Sequence, residues 1–139
     1  MEVRELDQLG ETIGCGQFAY FQSLYASCRK LMNGDLEGAE SAARSAWNIG
    51  LPAVGILADC QLAGQLLLIA VELVGTERKR LLHEAVEKSD AVLARVPAFE
   101  TFRLLFVSAY LETGRREAAI ELLRSVRARG STLQRDRNW

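Results

Sequence analysis

The stretch LMNGDLEGAESAARSAW, residues 31–47, carries the reading of the fold. Asn33 and Gly34 both tolerate positive φ, so they end a helix. Asp35 is a side-chain N-cap for the next helix, although Gly38 stands where a capping box would place Glu. Beyond that turn, Ala39, Ala43 and Ala46 recur at helical spacing. A stripe of minimal side chains lets one helix approach another closely, as ridges-into-grooves packing requires. The stretch therefore predicts a tight helix–turn–helix whose small residues are buried scaffold.

Similar punctuation continues on both sides. Residues 3–10 read as a short helix with Val3, Leu6 and Leu9 on one face, followed by a loose run at Gly10, Gly14 and Gly16. Residues 17–32 place Phe18, Phe21, Leu24, Tyr25, Cys28, Leu31 and Met32 at three- and four-residue intervals. The helix after Asp35 is expected to run to about Ile49 and to stop at Gly50-Leu51-Pro52. An apolar helix then covers about Ala53 to Val74 and ends at Gly75, with Thr76 as the next N-cap. Residues 77–95 form another helix, halted at Val96-Pro97. Residues 98–113 and 115–129 follow, stopped by Gly114 and Gly130. A polar tail spans 131–139.

Gly34, Gly75 and Gly114 stand at nearly equal intervals along the chain. Aligned on the outer two, Ala39 matches Ala119, Ala43 matches Leu123 and Ala46 matches Val126. After Gly75 the apolar positions Leu81, Leu82, Ala85 and Val86 are shifted by about one residue. Repetition at a fixed interval is the mark of a helical solenoid; a plain four-helix bundle has no need of it. The interval exceeds the ~34 residues of a tetratricopeptide unit and approaches the ~40–47 of HEAT and armadillo units, while the small-residue stripe is of the tetratricopeptide kind.

Composition sets bounds. The chain has 139 residues, 49% hydrophobic and 25% charged, enough for one domain with a real core. Net charge is −1, so no global field points to nucleic acid or membrane. Seven arginines crowd residues 115–139, which reads as a solvated helix face and tail. Cys15, Cys28 and Cys60 have no metal-site or disulfide spacing. The lone His83 cannot complete a metal cluster, and Cys15 between glycines lacks an identifiable base or oxyanion site. The pairs Glu37/Glu40 and Glu84/Glu87 read as solvated faces, with Lys and Arg nearby. The run LLLIAV at 66–71 is too short to span a bilayer, and the N-terminus lacks a signal-peptide core. A cytoplasmic, non-catalytic chain without cofactor or metal is expected.

Three segments carry a family resemblance. LMNGDLEGAESAARSAW (31–47) looks like a helix pair of the form L-x-x-G-D-x-x-x-A-E-x-x-A-x-x-A. FVSAYLETGRREAAIELL (106–123) is similar to the next pair, and STLQRDRNW (131–139) to a stretch that closes such arrays. Together they resemble the tetratricopeptide-like regions near the C-terminus of large bacterial signalling ATPases, among them LuxR-type regulators and adenylate cyclase–ATPase fusions. No GxxxxGK[ST] occurs, so no nucleotide site is implied. The resemblance implies an all-α, tetratricopeptide-like α-α superhelix of three helix pairs (roughly 17–50, 53–96 and 98–129) plus an N-terminal helix, one domain over 1–130.

It further implies a protein-interaction or scaffold module of a bacterial signalling or transcriptional regulator, the alternative being a small-molecule effector sensor. Partners would be another protein or other domains of the same polypeptide, with a homodimer through an exposed terminal face as a further expectation. In such modules the first helix of each pair lines the groove. The groove candidates are Phe21, Leu24, Gln65, Glu72, Thr101, Ser108 and Glu112, with Cys28, Ile69 and Leu104 among them. Phe21 and Leu24 have a competing role, packing beneath the N-terminal helix. An effector site would converge polar groups such as Gln65 and Ser108.

Overall fold

A computed structural model describes residues 16–96 and 100–128. The expected helix at 3–10, Cys15 and the tail at 131–139 lie outside the described residues. Among those described, seven helical segments occur and no strand: α1 (Gly16–Met32), α2 (Leu36–Val54), α3 (Ile56–Val71), α4 (Gly75–Arg95), α5 (Glu100–Leu105), α6 (Val107–Glu112) and α7 (Arg116–Ala128). From α1 to α4 each helix packs on its neighbour in the chain; α6 packs on α7, α4 on α6 and α5 on α7.

The opening turn folds as its residues dictate. Gly34 takes φ +77°, its N–H donates to Leu31 O at 3.0 Å, and Asp35 N–H reaches back to Lys30 O at 2.9 Å. That pair of bonds is a Schellman motif. Asp35 Oδ1 then accepts from Gly38 N–H at 2.9 Å, capping α2. The turn recurs at Gly114: φ is +79°, Gly114 N–H donates to Leu111 O and Arg115 N–H to Tyr110 O. Ala39, Ala43 and Ala46 are buried, as is Ala119. One core joins Ala39 and Ala43 to Leu62, Leu66, Leu81, Val86, Phe106 and Leu122; a smaller cluster gathers Tyr20, Ala46 and Ala58.

Four local expectations are corrected. First, α2 does not stop at Gly50-Leu51-Pro52 but runs to Val54 and ends at Gly55, φ +56°. Pro52 lies in the last turn, and Asn48, whose carbonyl loses its N–H partner, is exposed and can turn to water. Gly50 is a packing residue, because a Cβ there would come within 2.6 Å of the Tyr20 ring. Second, α4 starts at Gly75 with extended Val74 as its N-cap, not Thr76.

Third, the helix expected over 98–113 is two segments. Phe106 breaks it at φ −97°, ψ 0°, the bridge region. Its buried ring sits 4.9 Å from that of Phe102. Fourth, the expected match of Ala43 with Leu123 fails in burial: Leu122 turns inward and Leu123 is 47% exposed. A leucine is too bulky for the slot an alanine fills, and α7 follows the segment interrupted at Phe106.

Two glycines in helix interiors test this packing in opposite directions. Gly50→Ala should destabilise the protein by about 1–3 kcal/mol through overpacking against Tyr20. Gly64→Ala has nothing within 4 Å of its new methyl and should stabilise by about 0.5–1 kcal/mol through helix propensity. Urea unfolding followed by circular dichroism measures both.

Candidate interaction surface

The anticipated groove residues divide between surface and interior. Phe21 is 46% exposed on α1, while Leu24 is half-buried against the Tyr20 cluster. Gln65 and Ile69 point into the core. Glu72 is exposed at the C-cap of α3, and Ser108 is exposed on α6. Leu104 is half-buried. Thr101 lies on α5, with its side chain outside the described set. Glu112, at the end of α6, is ion-paired to Arg78, with Nε–Oε2 and Nη2–Oε1 both 2.8 Å.

The apolar residues that face outward follow a different register. On α1 they are Phe21, Tyr25 (71% exposed) and Met32 (86%); on α3 they are Leu57, Leu68 (53%) and Val71. Spacings of four and seven residues on α1, and of eleven and three on α3, put each set on one helical face. The two helices touch through Cys28 and Gln65, so the faces belong to adjoining helices. Little in the residue pattern of α3 signals this, because apolar residues occur all around the helix. Only Gln61 and Glu72, both exposed, mark its outward side.

Gln65 has an internal role. Ser27 Oγ, fully buried, lies 2.9 Å from Ala39 O and 3.1 Å from Gln65 Oε1; Gln65 Nε2 is 3.3 Å from Cys28 Sγ. A hydroxyl owns one proton. Turning the amide so that Nε2 donates to Ser27 and the Cys28 thiol donates to Oε1 gives every acceptor its own donor. The three helices are thereby stitched at one buried point.

On the α2–α4 seam, charges form a ladder. Arg44 makes a two-pronged contact with Glu84 at 2.8 and 2.7 Å and holds Glu40 at 2.9 Å. Arg80 bonds Glu40 at 2.9 Å and Glu77 at 2.8 Å. Farther along, Lys88 sits 4.1 Å over the Trp47 ring, and Trp47 Nε1–H donates to Asp59 at 2.8 Å. Arg78 also closes the end of α3, donating to Ala70 O, Val71 O and Leu73 O. That guanidinium does at the middle turn what the Schellman glycines do at the outer two.

These surroundings move the titrating groups. The Arg44 hydrogen bond lowers the Glu84 pKa, against the opposing effect of burial. Burial alone would raise Glu40, but hydrogen bonds from Arg80 and Arg44 bring it below its usual value. Burial pushes the Cys60 thiol up, and nearby Asp59 adds to the shift, which disfavours the nucleophilic thiolate. Tyr110 rises to about 12 through burial and its hydrogen bond to Asp90. His83 is exposed, with Nδ1 2.8 Å from Lys79 O. Among the described residues no group of three or more His, Cys, Asp or Glu is placed to hold a metal, and no helix is long and apolar enough to cross a membrane. No protein family, curated protein or solved structure matches the chain.

The carboxylates set an acid limit. Their folded pKa values lie below the unfolded value near 4.5, so their stabilisation is complete above it. It is lost as pH falls through the depressed folded values. Stability measured by urea unfolding should be level from neutral pH down to about 5.5 and fall below about 4.5. Arg44→Met should make that fall shallower, because Glu84 then titrates closer to its unfolded value.

Proposed function

We propose that this chain is a tetratricopeptide-like helical-repeat module, non-catalytic, that binds a protein through the outward face of α1 and α3. We place it within a bacterial signalling or transcriptional regulator, on the strength of the resemblance at 31–47 and 106–123. The repeat reading is supported by the matched turns at Gly34 and Gly114. It is supported also by bonds between helices one unit apart: Ser27–Gln65 across 38 residues, and Arg44–Glu84 and Glu40–Arg80 across 40.

The observation that carries the binding role is the exposed apolar stripe Phe21, Tyr25, Met32, Leu57, Leu68 and Val71 on adjoining helices. Two ridged helices with apolar side chains at helical spacing offer a seat for a third. The partner segment is therefore an amphipathic helix, from another domain of the polypeptide or a separate protein.

A photo-crosslinking residue at Tyr25 or Leu68, introduced into the protein in its native cell, should give a discrete adduct. That adduct should disappear when Phe21→Glu is added, with thermal unfolding showing the fold retained. The same probe at exposed His83, on α4, should give none. Adducts at His83 equal to those at Leu68, or adducts indifferent to Phe21→Glu, would overturn the reading.

A further inference from the structure

We propose that residues 3–9 fold back onto the end of the α1–α3 face nearest Gly16, seating Val3, Leu6 and Leu9 against Phe21 and Leu57. The chain then carries its own occupant for part of the surface it offers a partner. The docking stands on the geometry at the start of α1; only its consequence for a partner rests on reading that face as a binding site. The chain enters α1 beside the α2–α3 turn, where a Cβ on Gly16 would meet Ala53 at 3.5 Å. Exposed apolar side chains surround that point. Leu51 is 39% exposed near the end of α2, Leu57 38% at the start of α3, and Phe21 46% on α1. Both α1 and α3 pack on α2 through short turns, so they run the same way. Cys28 touches Gln65 across 37 residues, and the same offset sets Phe21 level with Ala58, next to Leu57.

The tether has the reach for this. Residues 10–15 include Gly10 and Gly14, and six residues span at most about 20 Å. A helix rises about 1.5 Å per residue, so Phe21 lies about 8 Å along α1 from Gly16 and Met32 about 24 Å. A return in the manner of a hairpin brings residues 3–9, about 10 Å of helix, over Phe21 and Leu57. Met32, Leu68 and Val71 stay open to a partner.

Charge favours the same seat. Residues 1–11 carry Glu2, Glu5, Asp7 and Glu11 against Arg4. Helix α1 holds no carboxylate, and its charged residues are Arg29 and Lys30. Its first turn therefore has no acidic side chain of its own to meet the partial positive charge of the N–H groups there. An acidic segment returning past that end supplies one. The neighbours along the face, Gln17 and Gln61, are exposed and neutral. With three apolar residues at helical spacing, the segment also has the amphipathic character proposed for the partner.

The test places a photo-crosslinking residue at position 6 of the purified full chain, at micromolar concentration, with thermal unfolding showing the fold retained. Mass spectrometry should find the adduct within one chain, at residues 17–25 or 56–61. The same probe at position 4, off the apolar face, should attach there far less. No adduct, adducts spread over other helices, adducts between chains, or equal yields from positions 4 and 6 would each overturn the docking. Its consequence is read separately in the native cell. Leu6→Glu should raise the yield of partner adducts from a probe at Leu68 several-fold, since apparent affinity follows the fraction of open face. A Leu68 yield indifferent to Leu6→Glu would overturn the occlusion. An adduct from position 6 without any partner adduct at Leu68 would leave the docking standing and remove the partner reading instead.

Discussion

The Ser27 hydroxyl, buried where α1, α2 and α3 meet, is the constraint on which the rest of the arrangement depends. A buried polar atom is costly without partners, so its position is fixed by those it finds. Ala39 O fixes α2 against α1, and the Gln65 amide fixes α3 against both. Ala39 can come this close only because its side chain is a methyl. The alanine stripe and the buried hydroxyl are two aspects of one requirement: close approach, with every polar group satisfied.

From that point the interval between helices is carried outward by polar links of similar span. Arg44 and Glu84 join α2 to α4, as do Arg80 and Glu40. Arg78 closes the end of α3 and reaches Glu112 at the end of α6. None of these partly exposed pairs is worth much alone, because water screens them. Their value is geometric, since a slipped register would break several at once. The third unit departs from the first two. Phe106 interrupts its first helix, Leu122 replaces an alanine-sized contact, and the space left along α4 and α7 is a cleft beside Tyr110.

Much of this was legible in the sequence where the cause is local. Asp35 as a cap, Gly34 and Gly114 as turns and Ala39, Ala43 and Ala46 as scaffold follow from residues within a few positions of each other. What was misread depends on distant partners. Gly50 next to Pro52 looks like a helix end until Tyr20, thirty positions earlier, is seen against it. Gln65 in an apolar helix looks like a ligand-facing polar group until Ser27 is found beside it. The outward face of α3 could not be read because leucine and isoleucine occupy every side of the helix.

The central claim is that Ser27 and Gln65 act as one buried unit that sets the spacing of the first three helices. A double-mutant cycle in urea unfolding tests it most directly. Ser27→Ala and Gln65→Leu should each cost about 1–3 kcal/mol, because each strands a buried partner. Together they should cost at least about 1 kcal/mol less than the two added, because the stranded groups are then removed as well. Strict additivity, or a negligible cost for Ser27→Ala, would contradict the account.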